Sequence, residues 1–135
     1  MEQYQHVIDY MKTIDCFNSY NGIRLTHFRD GYAEGRVELT KNSLNPNGKV
    51  HGGLMFAMSD YIGGFVASAD DRPCVTQGSS FNFLRPAAGE YLICRAEPVK
   101  IGSRLAIVDV SVFDDREKLV AKGTFTYCYM LGDHA

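Results

Sequence analysis

The stretch that decides the fold is Asn-Pro-Asn-Gly-Lys-Val-His-Gly-Gly, residues 45–53, which leads into an apolar run interrupted by one carboxylate, Asp60. Asn, Pro and Gly together at the start are typical of a turn. Residues 52–69 then have almost no polar face, which predicts a helix that is buried nearly all round. An isolated buried charge is very costly, so Asp60 must be paired, protonated or used in chemistry.

Before this stretch, the pattern predicts one short helix and a hairpin. Apolar side chains recur at helical spacing from Tyr4 to Ile14, with polar residues on the other side. Two extended runs follow, at residues 23–29 and 32–39. Asp30-Gly31 separates them, and this dipeptide is a strong signal for a two-residue hairpin turn.

After the central helix, the chain reads as strand after strand. Extended runs occupy residues 74–84, 89–100, 104–113 and 119–130, and Gly, Pro or charged turns separate them. We expect these four runs to form an antiparallel meander. With no internal repeat or linker, residues 1–135 are predicted to form a single α+β domain.

Composition excludes several classes of protein. The chain has 135 residues, 45% of them hydrophobic and 22% charged, which is typical of one globular domain. Its net charge of −2 gives no electrostatic reason to expect a nucleic acid or an anionic membrane as partner. No signal peptide or membrane-spanning run is visible, so we expect a cytoplasmic protein. The four scattered cysteines are expected to be reduced core thiols.

Three common nucleophile and nucleotide-binding motifs are missing from the sequence. It has no G-x-S-x-G elbow, no G-x-x-x-x-G-K-[ST] loop and no G-x-G-x-x-G fingerprint. The four histidines, His6, His27, His51 and His134, do not have metal-ligand spacing such as H-E-x-x-H. We therefore expect neither a metal site nor a nucleotide cofactor.

The His-Gly-Gly step fits acyl-transfer chemistry. Backbone N–H groups in the first turn of a helix lack partners within it and lie at the positive end of its dipole. Because Gly52 and Gly53 have no side chains, a substrate carbonyl could approach these donors as in an oxyanion hole. Asp60 would supply the second half of the reaction, as general base on a water or as direct nucleophile.

Helix geometry keeps these two groups apart. At about 1.5 Å and 100° per residue, Asp60 lies roughly 13 Å from His51 along the helix and on the opposite face. Within one subunit they cannot both reach one scissile bond. If both are catalytic, each site combines Gly52 of one chain with Asp60 of another, as two-fold symmetry would allow twice in a dimer.

Each residue also has a plain structural interpretation. The glycine pair could serve close packing alone, and His51 could simply cap the helix. Asp60 could be a hydrogen-bonded structural carboxylate. Asn45 is an ordinary turn residue, and Thr76 is an ordinary strand residue. Their joint spacing is what favours a catalytic interpretation.

That spacing resembles the hotdog-fold acyl-CoA thioesterases of the PaaI type, from phenylacetate degradation. The motif N-P-x-G-x-V-H-G-G followed by Asp60 carries the resemblance, and Phe-Leu-Arg-Pro-Ala at residues 83–87 supports it. Residues 102–109 and 119–123 also resemble the last hairpin of the family. The resemblance implies a long central helix wrapped by a curved antiparallel sheet, with a short N-terminal helix. It also implies homodimers, often paired into homotetramers, with the active site at the dimer interface.

The resemblance implies a role for each motif residue. The Gly52 N–H would polarise the thioester carbonyl, and His51 would help to position this end of the site. Asp60 of the partner chain would activate water or attack directly, and Asn45 would orient the reacting groups. Thr76 falls where the family often has a hydroxyl that holds the water or carboxylate, although Ser79 and Ser80 lie nearby.

The substrate would contact two further groups of residues. The acyl pocket is expected to be formed by side chains of both subunits, to lie beside Gly53 and to include Phe56, Tyr61, Phe81 and Phe83. The coenzyme A phosphates are expected to meet basic side chains, for which the candidates are Arg85, Lys100 and Arg104.

The expected function is hydrolysis of an acyl-CoA to a free acid and CoA, with no cofactor, because CoA is part of the substrate. A hydratase or dehydratase of the same fold is disfavoured, since its helix motifs differ. The alternative from another class is a non-catalytic acyl-CoA-binding or regulatory module. Two features argue against a non-catalytic module: the sequence has the acidic Asp60, and it shows no appended domain to carry a regulatory output.

Overall fold

The computed structural model describes residues 2–130, which form helices and one sheet. The helices are α1 (Gln5–Met11), α2 (Phe17–Tyr20) and α3 (Gly52–Ala67). The strands are β1 (Ile23–Arg29), β2 (Tyr32–Glu38), β3 (Cys74–Phe83), β4 (Tyr91–Ile101), β5 (Leu105–Asp114) and β6 (Leu119–Tyr129). The predicted strand ends differ from these by no more than two residues.

All strand pairings are antiparallel, and the predicted hairpin is confirmed. β1 and β2 pair through Arg29 and Tyr32, and Gly31 between them has φ +78°. An L side chain rarely adopts that conformation, so glycine fits this turn.

The four strands after α3 do not form one continuous meander, so that prediction was wrong. The order in the sheet is β1-β2-β4-β5-β6-β3. β4 cannot pair with β3, because β2 and β5 occupy its two edges. β3 instead lies beside β6 and has no strand on its other edge within residues 2–130.

The sheet curves around α3, which contacts all six strands. Register shifts occur in four of the five strand pairings, and such bulges bend a sheet and increase its twist. The core lies between the inner face of the sheet and α3, whose buried apolar side chains are Met55, Met58, Ile62, Val66 and Ala67. This confirms the predicted α+β hotdog architecture with its central helix.

The central helix is less enclosed and shorter than predicted. Phe56 is 38% exposed, and Leu54, Ala57 and Tyr61 are half-buried, so one side of α3 is only partly covered within this chain. The helix ends at Ala67, two residues before the predicted end. The Ser68 hydroxyl donates to the carbonyl of Gly64 at 2.8 Å, as is common where a helix stops.

The Gly63-Gly64 pair makes room on α3 for a side chain of the sheet. A Cβ on Gly63 would lie 2.5 Å from the hydroxyl oxygen of Tyr127 on β6. A side chain larger than hydrogen would therefore displace the Tyr127 ring from α3.

The N-terminal region and the cysteines also differ in part from expectation. The first helix stops at Met11, and the chain then forms α2, which the periodicity did not predict. All four cysteines are free, but only Cys94 is a core thiol; Cys16 is exposed, and Cys74 and Cys128 are half-buried. Burial raises the pKa of the Cys94 thiol to about 12.

Candidate active site

The start of α3 leaves one backbone donor free. The Nδ1 atom of His51, the N-cap residue, accepts a hydrogen bond of 2.8 Å from the Gly53 N–H. The Leu54 N–H donates to the His51 carbonyl at 3.0 Å. The Gly52 N–H has no acceptor among residues 2–130. Of the two glycine donors considered from sequence, only that of Gly52 is available to a substrate.

Gly53 has a structural reason to be glycine. A Cβ at this position would lie 2.9 Å from the His51 Nδ1 atom. This is closer than two such atoms normally approach, so the His51 ring would have to move. The cap by His51 therefore requires a glycine two residues later. Both residues line a cavity of about 760 Å³ at this end of α3. Gly53 thus contributes space and a capped backbone, with its own N–H already occupied.

Asn45 stabilises the loop that precedes His51 at the start of α3. Its side-chain oxygen accepts hydrogen bonds from the N–H groups of Asn47 at 2.9 Å and Lys49 at 3.2 Å. The His51 N–H in turn donates to the Ser43 carbonyl at 2.8 Å. These bonds give Asn45 a clear role in loop shape, and its role in orienting reacting groups stays a prediction.

Asp60 lies on α3, eight residues after Gly52, and two hydroxyl groups donate hydrogen bonds to it. The Thr76 hydroxyl on β3 donates to the Asp60 carboxylate at 2.5 Å. The Tyr127 hydroxyl on β6 donates to the Asp60 backbone carbonyl at 2.7 Å. Burial is the main cause that raises the pKa of Tyr127, so this hydroxyl keeps its proton at neutral pH.

Thr76 therefore contacts the carboxylate, as the prediction for that position required. Sequence reasoning missed Tyr127, although alternation along β6 places Phe125, Tyr127 and Tyr129 on one face of the strand. That alternation was visible in the sequence, but the pairing of β6 with β3 was needed to bring the face to Asp60.

The aromatic residues predicted for the acyl pocket separate into two places. Phe56, Phe81 and Phe83 form one cluster near Gly52, together with Phe125; the Phe56 and Phe81 ring centroids are 5.5 Å apart. A Cβ on Gly52 would meet the Phe83 ring at 3.2 Å. Tyr61 lies elsewhere, with its ring 4.9 Å from that of Phe65. One chain therefore does not bring the predicted aromatic residues together in one pocket, and their role in binding the acyl group stays a prediction.

The basic candidates for CoA phosphates also lie far apart. Arg85 follows β3 at the end next to Phe83, whereas Lys100 and Arg104 flank the β4–β5 turn at the other end. The Tyr129 N–H donates to the Arg104 carbonyl at 2.9 Å, and Tyr129 pairs with Cys74 at the start of β3. The length of β3 separates these ends by roughly 30 Å at about 3.3 Å per residue. One chain does not bring the three side chains together.

The two halves of the candidate site open into different cavities. His51 and Gly53 line the cavity of about 760 Å³, whereas Asp60, Thr76 and Tyr127 line a second cavity of about 450 Å³. This arrangement agrees with the separation worked out from helix geometry. Within one chain, these two cavities have no lining residue in common.

The described residues contain neither a group of side chains placed to hold a metal ion nor a membrane-spanning helix. Among residues 2–130, no group of three or more His, Cys, Asp or Glu side chains is placed to hold a metal ion. His134, considered above as a ligand, lies outside the described residues. No helix in the described part of the chain has the length and apolar character needed to cross a bilayer.

Comparison with known proteins assigns the chain to a family. The model of the thioesterase superfamily matches residues 47–121, which is more than half of the chain. The acyl-coenzyme A thioesterase PaaI of Escherichia coli (strain K12) is 26% identical over 101 residues, which are 74% of this chain and 72% of PaaI. The chain therefore belongs to the thioesterase superfamily.

Solved structures agree with this assignment. The crystal structure of smu.793 from Streptococcus mutans UA159, bound to acetyl CoA, is 30% identical with a TM-score of 0.79, and the match covers 87% of this chain and 94% of that one. The protein in the structure of Escherichia coli PaaI is 23% identical to this chain in sequence. The two structures match with a TM-score of 0.87 over 96% of this chain and 94% of that one, which shows that they share a fold. The protein is a thioester hydrolase with a hotdog fold of the PaaI type.

Proposed function

We propose that this protein hydrolyses acyl-CoA thioesters in active sites that two copies of the chain share. The Gly52 N–H of one copy polarises the thioester carbonyl, and Asp60 of the second copy acts on the same carbonyl carbon. The observation that carries the proposal is that His51 and Gly53 line one cavity, whereas Asp60 and Thr76 line another, so one chain does not bring the proposed groups together. The names of the similar proteins, a thioesterase for acyl-coenzyme A and a structure with acetyl CoA, support this substrate class.

The free edge of β3 supports a particular arrangement of the two copies. Nearly all of β3 is exposed, including Val75 at 49% and Phe83 at 54%. An unpaired edge strand is a ready template for another strand. If two copies pair their β3 edges antiparallel about a two-fold axis, the Phe83 end of one meets the Cys74 end of the other.

That pairing would complete the catalytic site and the CoA site together. Gly52 contacts Phe83, and Asp60 contacts Thr76 near the opposite end of β3. Antiparallel pairing would therefore bring Gly52 of one copy to Asp60 of the second copy. By the same symmetry, Arg85 would approach Lys100 and Arg104 of the second copy, and the three side chains could bind the phosphates of one CoA.

The chemistry follows from the groups that meet. A water attacks the thioester carbonyl while Asp60 takes one of its protons, and the negative charge that develops on the oxygen is stabilised by the Gly52 N–H. The tetrahedral intermediate then breaks its C–S bond, and CoA leaves as a thiolate that takes up the proton. Alternatively, Asp60 attacks the carbonyl itself, and water hydrolyses the resulting anhydride. Thr76 holds the carboxylate in either route.

The direct test measures thiol release from a panel of aromatic and aliphatic acyl-CoAs. Asp60→Asn preserves shape but removes the charge, so kcat should fall by about 10²-fold or more, the scale of general-base loss. Asp109→Asn is the matched control, because this carboxylate lies on the sheet and pairs with Lys122 at 3.7 Å. Full activity in Asp60→Asn would overturn the mechanism. Binding of acyl-CoAs by the wild type without thiol release would identify a non-catalytic binding module instead.

The shared site has its own test. Gly52→Pro removes the N–H of one half, and Asp60→Ala removes the carboxylate of the other. A mixed dimer of these inactive chains contains one intact site, so mixing should restore activity. No recovery in heterodimers verified by mass would contradict the shared site. Sedimentation of the wild type would show whether the dimers pair further into the tetramers expected from sequence.

The two routes differ in where oxygen from water appears. In a single turnover in ¹⁸O-labelled water, direct attack places the label in the Asp60 carboxylate when water adds to the Asp60 carbonyl of the anhydride, whereas base catalysis places it only in the acid product. Label found by mass spectrometry in the peptide that contains Asp60 would therefore exclude base catalysis.

A further inference from the structure

Arg72 lies in the loop between α3 and β3, and its side chain contacts three parts of the chain. Its Nε atom donates to the Asp70 carboxylate at 2.9 Å, and its Nη2 atom lies 2.8 Å from the same oxygen. Its Nη1 atom donates to the carbonyls of Gly102 at 2.9 Å and Ser103 at 3.2 Å. The guanidinium carbon also lies 3.6 Å from the centre of the Tyr129 ring. One guanidinium thus links the α3–β3 loop to the β4–β5 turn and to β6.

The β4–β5 turn depends on Arg72 because side-chain packing does not hold it. Its apolar side chains are exposed: Val99 by 61%, Ile101 by 42% and Leu105 by 40%. On the β5 side, the Arg104 carbonyl accepts from the Tyr129 N–H at 2.9 Å. Within residues 2–130, the Gly102 and Ser103 carbonyls accept hydrogen bonds from Arg72 alone. A charged donor makes such bonds stronger than those between neutral groups, so Arg72 fixes the position of the turn.

Two free cations flank this turn. Lys100 and Arg104 are both exposed, and neither side chain forms an ion pair in the part of the chain that the structure describes. Arg72, in contrast, is paired with Asp70. Its hydrogen bond is the main cause that lowers the pKa of Asp70, so this carboxylate is ionised at neutral pH and offsets the charge of Arg72. A phosphate at the turn would therefore meet Lys100 and Arg104, and Arg72 would lie behind them.

The turn lies near the Asp60 half of the candidate site. Val75 lines the cavity that contains Asp60. The register places Val75 on β3 level with Cys128 on β6 and Leu105 on β5. Because adjacent strands are about 4.8 Å apart, the turn begins roughly 10 Å from this cavity. The pantetheine arm of CoA separates its phosphates from the thioester, so a cationic turn at some distance from Asp60 suits them.

We propose that Arg72 is a positioning residue for coenzyme A, which holds the β4–β5 turn so that Lys100 and Arg104 bind the phosphates of the substrate. The inference rests on the proposed function, in which these two cations meet the phosphates. Arg72 increases affinity because the turn is ordered before the substrate binds. The chemical step does not depend on it, since the α3–β3 loop is also held by the bond from the Met130 N–H to the Pro73 carbonyl at 2.9 Å.

The test compares two thioesters of one acyl group, the CoA thioester and the pantetheine thioester, which lacks the phosphates. Arg72→Lys keeps the charge but loses the planar fork that reaches Asp70 and both turn carbonyls. KM for the CoA thioester should rise by about tenfold, the scale of ordering one or two long side chains on binding. The kcat for both substrates and KM for the pantetheine thioester should not change. An equal rise in both KM values, or a loss of kcat alone, would contradict the inference.

Arg36→Lys is the matched control for this substitution. Arg36 also pairs with a carboxylate, at 2.6 Å, and its guanidinium carbon lies 3.8 Å from the centre of a tyrosine ring. These contacts are made at the end of β4 opposite the β4–β5 turn. Arg36→Lys should therefore leave KM for both thioesters unchanged, and a tenfold rise for the CoA thioester in this control too would overturn the inference.

A double-mutant cycle tests whether Arg72 acts through the two cations. In the variant that carries both Lys100→Ala and Arg104→Ala, KM for the CoA thioester should rise. Adding Arg72→Lys to that variant should cause no further rise, because the turn then has no cations left to position. A further rise of the full size would mean that Arg72 binds the phosphates directly, and it would exclude the positioning role.

Failure of the inference and failure of the proposed function give different results. If the wild type releases no thiol from any acyl-CoA, the proposed hydrolysis fails. Calorimetric affinity for CoA then replaces KM, and equal affinities in the wild type and Arg72→Lys would refute the inference. If KM for the CoA thioester is unchanged when Lys100 and Arg104 are both alanine, the phosphate site and the inference fail together while hydrolysis stands. If Arg72→Lys does not fold, Asp70→Asn replaces it: loss of the carboxylate that orients the guanidinium should raise the same KM, and an unchanged KM would refute the inference.

Discussion

Replacing Gly52 by proline isolates the contribution of one backbone N–H. Gly52 is the first residue of α3, the helical position at which proline is most easily accommodated. His51 before it has φ −63° and ψ 130°, which is the extended conformation that a residue before proline prefers. The substitution therefore removes the donor while the helix start keeps its geometry.

The size of the effect follows from what an oxyanion donor contributes. Loss of one such donor costs about 10²–10³ in kcat, or roughly 3–4 kcal/mol of transition-state stabilisation. The new Cβ would contact the Phe83 ring at 3.2 Å, so the ring must move by a few tenths of an ångström. Gly52→Ala is the matched control, because it makes the same contact and keeps the N–H.

The assay is the initial rate of thiol release with the acyl-CoA that the wild type hydrolyses fastest, alongside thermal unfolding of each variant. We expect Gly52→Pro to lose about 10²–10³ in kcat with a melting temperature close to that of Gly52→Ala, which should retain most activity. Equal losses in the two variants would mean that the Phe83 contact, and not the N–H, matters. Full activity in Gly52→Pro would refute the oxyanion assignment altogether.

Three further predictions concern residues away from that donor. The buried Ser59 hydroxyl has no hydrogen-bond partner within the described residues, so Ser59→Ala should raise the free energy of unfolding by about 1 kcal/mol in urea titrations; a loss would contradict it. Tyr127→Phe removes the donor to the Asp60 carbonyl and should lower the free energy of unfolding by about 1 kcal/mol together with kcat, whereas an unchanged kcat would exclude a positioning role. Hydrogen bonding, chiefly from the Ser19 backbone, lowers the pKa of the exposed Cys16 thiol, whereas burial raises that of Cys94 to about 12. At about pH 8, a thiol reagent should therefore label Cys16 first and Cys94 only after unfolding, and the reverse order in peptide mapping would be inconsistent with the structure.

The sequence was sufficient for the strands, the β1–β2 hairpin and the central helix, although not for α2, and for the separation of Gly52 from Asp60. Periodicity and turn residues locate the strands within two residues of their ends, because local steric preferences determine them. The distance between Gly52 and Asp60 needed only the rise and twist of a helix. The bond from Thr76 to Asp60 required the resemblance, since no local rule relates a strand residue to a helix residue sixteen positions earlier.

What sequence could not supply were the long-range pairings. β3 could have paired with β4 or β6, and only the full sheet shows that β2 and β5 exclude the first choice. Tyr61 and Phe56 are both apolar residues of one helix, but they differ by about 140° around its axis and so face different spaces.

The exposed edge of β3 also has a consequence for the folding equilibrium. A chain that leaves this strand uncovered presents free N–H and C=O groups with apolar side chains beside them, which favours disordered aggregation as much as ordered association. When folding is linked to self-association, mass action makes stability depend on protein concentration. We therefore expect the melting temperature to rise with protein concentration. Dilution of the wild-type protein should lower its activity.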